Sequence, residues 1–257
     1  GPDENHDRID NNAYTNYFAK WHLQQGAALY TWLQSKSEEG GKSLLDRLKV
    51  NAETVKGWQE KAAKIFTPQP DGSGVIEQFD GYFGLKPLDM RDYEGRTESI
   101  QGILGVEAAA ATQILKQPDV LMLMYLHPEL FGEDLQKANY AYYTPRTDLE
   151  YGSSLGPSIQ AIMAVRLGEM ENAYENFMRA ARADLKDVRG NAGDGIHGAS
   201  AGGLWQAAVF GFAGLQIGDE GWSLNPQLPD GWKRLAFKFH YKDKQETVDI
   251  RREERHD

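Results

Sequence analysis

Apolar positions recur at helical spacing over most of this chain and alternate only near its end. Tyr14, Tyr17, Phe18, Trp21, Ala28, Leu29 and Trp32 share a face if 11–34 is coiled at 3.6 residues per turn, which predicts a long amphipathic helix there. Shorter helical stretches follow at 43–49 and 52–65, until the turn cluster Pro68-Gln-Pro-Asp-Gly-Ser-Gly74 stops them. The apolar, glycine-interrupted 75–83 predicts a short strand or bent loop, and the charged 86–96 a surface loop. Helical spacing resumes at 108–116, breaks at Pro118, and continues at 120–126, 135–143, 157–167, 171–184 and 201–212.

From Leu215 the period changes. Trp222-Ser-Leu, 235–241 and 247–250 alternate, with turns at Pro229-Asp-Gly and Lys242-Asp-Lys, so the tail predicts a small antiparallel sheet. Successive helices joined by polar loops suit helix-on-helix layering. The expected organisation is a mainly α unit over 1–214 and a β unit over 215–257.

Composition narrows the possible partners. With 257 residues, 40% of them hydrophobic, the chain is long enough to bury a sizeable core. A net charge of −10 argues against nucleic acid and anionic membranes, both of which call for a basic face, and leaves a neutral or zwitterionic small molecule. The absence of cysteine removes disulfides, a thiolate nucleophile and cysteine-ligated zinc, and leaves the redox compartment open. The longest apolar run, 120–126, falls far short of the roughly 18 residues of a membrane span. The chain opens Gly-Pro-Asp-Glu-Asn-His with neither an initiator methionine nor a signal peptide, so an upstream segment of the same polypeptide is expected to be missing. A cytoplasmic location is the expectation, and the missing segment leaves the periplasm open.

Three polar constellations could carry chemistry. Pro2-Asp3-Glu4 with His6 precedes Asn11-Asn12-Ala13-Tyr14-Thr15-Asn16; a loop carboxyl there could protonate a leaving oxygen if its pKa were raised, or these residues could simply cap the helix. In Arg146-Thr-Asp-Leu-Glu150-Tyr-Gly-Ser153-Ser154, the serines could cap the helix opened by Pro157 or hold an anion at its N-terminus. Asp194-Gly-Ile-His197, set among glycines, implies close backbone approach to a ligand or to another helix. Lys116-Gln117 alone reads as a solvated helix end. The six histidines are scattered, and neither His-Glu-x-x-His, nor a Gly-x-Ser-x-Gly elbow, nor a P-loop occurs.

Taken in order, Gly-Pro-Asp-Glu4 with Asn-Asn-Ala-Tyr-Thr-Asn16, Gln78-Phe-Asp-Gly-Tyr-Phe83, Leu115-Lys-Gln117, Arg146 to Ser154, Asp194-Gly-Ile-His197 and the Asn225-Pro-x-Leu-Pro tail resemble glycoside hydrolase family 65, which holds maltose, trehalose, kojibiose and nigerose phosphorylases and some hydrolases. The resemblance implies the second half of an (α/α)6 barrel followed by a small C-terminal β domain. It assigns the general acid to Glu4, glucose binding to Lys116 and Gln117, and phosphate binding in phosphorylases to Ser153, Ser154 and His197. No metal or cofactor is implied, inorganic phosphate being the co-substrate of a phosphorylase, and homodimers are common in the family. The family's upstream Trp-Arg-Asp segment has no counterpart here, in keeping with the expected truncation.

One departure from the family bears on mechanism. Where phosphorylases commonly carry His-Asp or His-Glu directly before the serine pair, this chain has Leu149-Glu150-Tyr151-Gly152. Water needs a base and phosphate does not, so a carboxylate at that position suits a hydrolase. The expectation is therefore inverting hydrolysis of an α-linked glucose disaccharide, kojibiose being the candidate, with Glu4 as acid and Glu150 as base. The alternative is an inverting phosphorylase that makes β-glucose 1-phosphate and holds phosphate on Ser153, Ser154 and His197.

Overall fold

The computed structural model describes residues 1–36 and 38–252. Helix α1 (Ala13–Ser35) starts where Asn12 Oδ1 accepts the Thr15 amide at 2.9 Å, and α3 (Ala52–Lys64) starts the same way, with Asn51 accepting from Thr54 at 2.9 Å. Each cap satisfies an amide that the first helical turn leaves without a partner. Between them lies α2 (Ser43–Leu48), and α3 packs back along α1.

The remaining helices are α4 (Ile100–Leu104), α5 (Val106–Ala110), α6 (Asp119–Leu126), α7 (Glu133–Tyr143), α8 (Gly156–Arg166), α9 (Met170–Arg182) and α10 (Gly198–Gln206), the last running on as a π-helical segment, Ala207–Phe212. Helix α6 packs against α1, α7 and α8, and α8 packs against α9 and α10. Every residue of α8 from Gly156 to Val165 is buried, so its sequence is apolar or small all round. Helix α9 buries one stripe, Ala173, Asn176 and Ala180, and turns its charges outward.

Two sequence expectations change here and a third is resolved between its alternatives. The predicted helix 108–116 stops at Ala110, and the chain then runs extended: the Gln113 amide donates to Lys86 O (2.9 Å), Leu115 to Arg146 O (2.8 Å) and Asp148 to Leu115 O (2.9 Å). Ile114 and Leu115 are adjacent and both fully buried, which an extended segment with remote partners on either side achieves by pointing them to opposite faces. The predicted surface loop 86–96 ends in Arg96, whose guanidinium is buried on Asp148 at 2.6 Å. The stretch 75–83 is a bent loop with a single bridge, Pro70 to Ile76, and a 3-10 turn at Tyr82–Gly84. Gly81, at φ 88°, makes that turn possible.

The tail holds two separate antiparallel ladders in place of one sheet: β1 (Gln216–Ile217) with β2 (Trp222–Ser223), and β3 (Arg234–Tyr241) with β4 (Lys244–Arg251). The second is a hairpin closed by two residues, with Tyr241 opposite Lys244 and Lys242 in the left-handed region at φ 47°. Leu228, Trp232 and Leu235 pack on the helical core. Residues 253–257, the end of the expected β unit, lie outside the described residues. Among the described residues, no helix is long and apolar enough to cross a membrane.

Candidate active site

The loop before α1 is built around Asp3. Its Oδ1 accepts the amides of Lys116 (2.8 Å) and Gln117 (3.2 Å), its Oδ2 meets His6 Nδ1 at 2.6 Å, and its own amide donates to Asp119 at 2.8 Å. His6 Nε2 lies 2.8 Å from Thr112 O, which can only accept, so Nε2 carries a proton, and a protonated ring donates to Asp3 and Thr112 together. Burial opposes that charge, but the Asp3 hydrogen bond and the nearby carboxylates raise the His6 pKa overall. Asp119 accepts from Asn12 Nδ2 at 2.7 Å, and burial pushes its pKa up to about 7. Gln78, fully buried, ties the next segment in, its backbone O accepting the Ala13 amide (2.8 Å) and its Oε1 the Asp119 amide (3.1 Å). Three of the motifs are thus clamped into one unit.

This clamp leaves Glu4 facing out between Lys116 and Gln117. Its amide donates to Gln117 Oε1 at 3.1 Å, and its carboxylate pairs with the Lys116 ammonium. The Lys116 hydrogen bond is the largest influence on Glu4 and holds its pKa below the usual carboxylate range, which favours the anion. Gln117 Nε2 reaches across to Ser153 Oγ at 3.3 Å.

Ser153 and Ser154 stand on the opposite wall, at the entry to α8. Ser153 Oγ accepts the Leu155 amide at 3.2 Å, and Ser153 O accepts from Arg189 Nη2 at 3.0 Å. Ser154 O accepts from Ser200 Oγ at 2.8 Å, binding the first turn of α10 to the start of α8. His197 caps α10; its Nδ1 lies 2.5 Å from Asp184 Oδ1, and its amide donates to Asp184 Oδ2 at 2.9 Å, so Nε2 is the nitrogen directed away from the carboxylate. The positive ends of two helices therefore border the cleft.

Glu4, Lys116, Gln117, Ser153, Ser154 and His197 line one cleft of about 480 Å³, together with Thr97, Ser99, Arg189 and Asn191. Glu150 does not. It lines a second cleft with Glu171, Tyr174 and Arg179, and Arg189 is the one residue shared by the two. Sequence reasoning missed Arg189, Asn191 and Asp184; the only hint was their place just ahead of the glycine-rich Gly193–Gly203 stretch. Asp148, inside the Arg146–Ser154 motif, is structural: it pairs with Arg96 and accepts the Ile100 (3.0 Å) and Tyr151 (3.1 Å) amides. Among the described residues, no group of three or more His, Asp or Glu side chains could hold a metal.

Comparison with known proteins places this geometry. Residues 1–206 match the model of the glycosyl hydrolase family 65 central catalytic domain, and residues 215–255 that of the family's C-terminal domain. The chain is 41% identical over 257 residues to a kojibiose phosphorylase of Caldanaerobacter subterraneus subsp. tengcongensis, covering 99% of this chain and 33% of that protein. It is 34% identical over 253 residues to an alpha,alpha-trehalose phosphorylase of Thermoanaerobacter brockii, covering 98% and 32%. The solved structure of a candidate kojibiose phosphorylase from human microbiome superposes with a TM-score of 0.85 at 31% identity, covering 98% of this chain and 34% of that one. The chain spans about a third of the length of the curated relatives it matches.

Proposed function

Because this chain belongs to glycosyl hydrolase family 65, we propose that it supplies the proton-donating and phosphate-holding portion of an inverting disaccharide phosphorylase, which cleaves kojibiose to glucose and β-glucose 1-phosphate. Its helices are part of an (α/α)6 barrel, and its tail is the accompanying small β domain. We place the division between them at 214/215.

The observation that carries the reading is the pairing of Glu4 on one wall of the cleft with Ser153, Ser154 and His197 on the other. In an inverting displacement the acid protonates the oxygen between the sugars as the C1–O bond breaks, and the nucleophile bonds to C1 from the opposite face. Phosphate arrives already anionic and needs no base, so hydroxyls, an imidazole and helix N-termini are sufficient to hold it. Inorganic phosphate is the co-substrate, and the reaction calls for no cofactor. The ion pair with Lys116 favours ionised Glu4, so donation requires Lys116 to turn onto a glucose hydroxyl, the role the resemblance gives it with Gln117. Hydrolysis with Glu150 as base draws less support, because Glu150 lines the neighbouring cleft and the relatives named above are phosphorylases. Three relatives between 36% and 41% identical are kojibiose phosphorylases, which supports the choice of disaccharide.

The test is an NMR time course of kojibiose cleavage by the full-length protein, with and without phosphate. The expected product is β-glucose 1-phosphate, formed only with phosphate present, and Glu150→Gln is expected to keep at least half the rate. Equal glucose release in phosphate-free buffer, abolished by Glu150→Gln, would replace phosphorolysis with hydrolysis.

A further inference from the structure

Arg189 is half-buried between the two clefts, and three features set its guanidinium apart. Nη2 is pinned to Ser153 O at 3.0 Å, which fixes the group beside the serine pair. Nε is buried and has no hydrogen-bond partner. Among the described residues the guanidinium makes no ion pair within 4.0 Å, although three carboxylates stand near it. Of these, Asp148 is taken by Arg96 and Asp184 by His197. Only Glu150 is unengaged, and it is solvent-exposed on the other side.

A guanidinium drawn out of water loses hydration that a single carbonyl does not replace, and burial accordingly lowers its pKa. The missing compensation is an anion with several acceptor oxygens, which fits the planar donor fork of arginine better than any neutral sugar hydroxyl does. We propose that Arg189 is a phosphate-binding residue of the cleft, its fork closing on the oxyanion held by Ser153, Ser154 and His197, and that it sets the affinity of the site for phosphate. The inference rests on the phosphorylase reading. Glu150 then has a subordinate part: from the second cleft its carboxylate weakens the field of Arg189 without entering the site.

The experiment compares wild type, Arg189→Gln and Arg189→Lys in the full-length protein, with inorganic phosphate and kojibiose varied in turn and melting temperature followed against phosphate concentration. Arg189→Gln is expected to raise the KM for phosphate about 10- to 100-fold, as for loss of a charge-assisted hydrogen bond, and to change the KM for kojibiose far less. It is also expected to lose the rise in melting temperature that phosphate gives wild type. Arg189→Lys, which keeps the charge and loses the fork, is expected to fall between the two and keeps the test open if the glutamine variant does not fold. A phosphate KM within twofold of wild type in a folded variant overturns the assignment, as does an equal rise in both KM values. If wild type itself cleaves kojibiose at the same rate without phosphate, it is the underlying reading that fails, and that arm is measured first.

Discussion

For the proposed proton donation Glu4 must be an acid at the moment of bond cleavage, yet its ion pair with Lys116 favours the anion. The conflict is resolved if the sugar takes Lys116 away, since losing an adjacent cation and excluding water both raise a carboxyl pKa. Glu4→Gln keeps the size and the hydrogen-bonding shape and removes the proton, so kcat on kojibiose is expected to fall about 10²- to 10⁴-fold, the usual worth of general acid catalysis. The deficit should shrink on α-glucosyl fluoride, whose leaving group needs little protonation. An equal deficit on both substrates would assign Glu4 to binding. Beside it, Asp3 shows how little a residue's type reveals alone: the sequence leaves it between a proton-donating loop carboxyl and a helix cap, whereas in the fold it is a buried carboxylate that positions the Lys116-Gln117 backbone.

At the scale of elements, the loop before α1 and the extended stretch after α5 hold each other through His6, Asp3 and Asp119. His6 has its pKa raised above the ordinary 6.5, so its stabilisation is complete below that value and is lost as pH rises through the raised one. Asp119, ordinarily 3.8 and lifted by burial to about 7, acts in the same sense, because the folded chain keeps a proton that the unfolded chain has released. Stability is therefore expected to fall as pH rises from about 4 to about 7 through Asp119, and further above 6.5 as His6 loses its proton. His6→Asn should cost about 1–3 kcal/mol near pH 6, by stranding Asp3 and the Thr112 carbonyl, and less near pH 8. Melting temperatures across that range check it; a difference that does not vary with pH would mean that His6 is neutral in the fold. The extended 112–117 replaces the end of the helix expected over 108–116, and the reason lies here. Its backbone hydrogen bonds go to Lys86, Arg146 and Asp148, partners that no local window contains.

The whole molecule is joined through an aromatic triangle. Trp232, just ahead of β3, stands 5.1 Å from Phe177 of α9 and 5.1 Å from Phe212 at the end of the π-helical segment, centroid to centroid. The β unit thus closes the same core that fixes α8, α9 and α10, and with them the His197 and Ser153 side of the cleft. Trp232→Ala is expected to destabilise by about 2–4 kcal/mol, seen as a lower midpoint for loss of the helical circular dichroism. Loss of the hairpin alone, with the helical midpoint unchanged, would show that the two parts melt independently.

By itself the sequence determined the mainly α character, the change to β near residue 215, the helical runs of α1 and α3, the candidate capping residues ahead of α1, and the ordered motifs that resemble the family. These depend on local period, capping chemistry and residue type, which a linear chain carries explicitly. Only the tertiary structure decided which polar residues share a cleft. It brought Glu4, Gln117 and Ser153 together across separations of 113 and 36 residues, added Arg189 from a segment with no motif of its own, and put Glu150, three residues before Ser153, around the corner in another cleft. Sequence proximity does not fix which wall a side chain faces, because each wall is set by the remote partners that satisfy the buried backbone and charges around it.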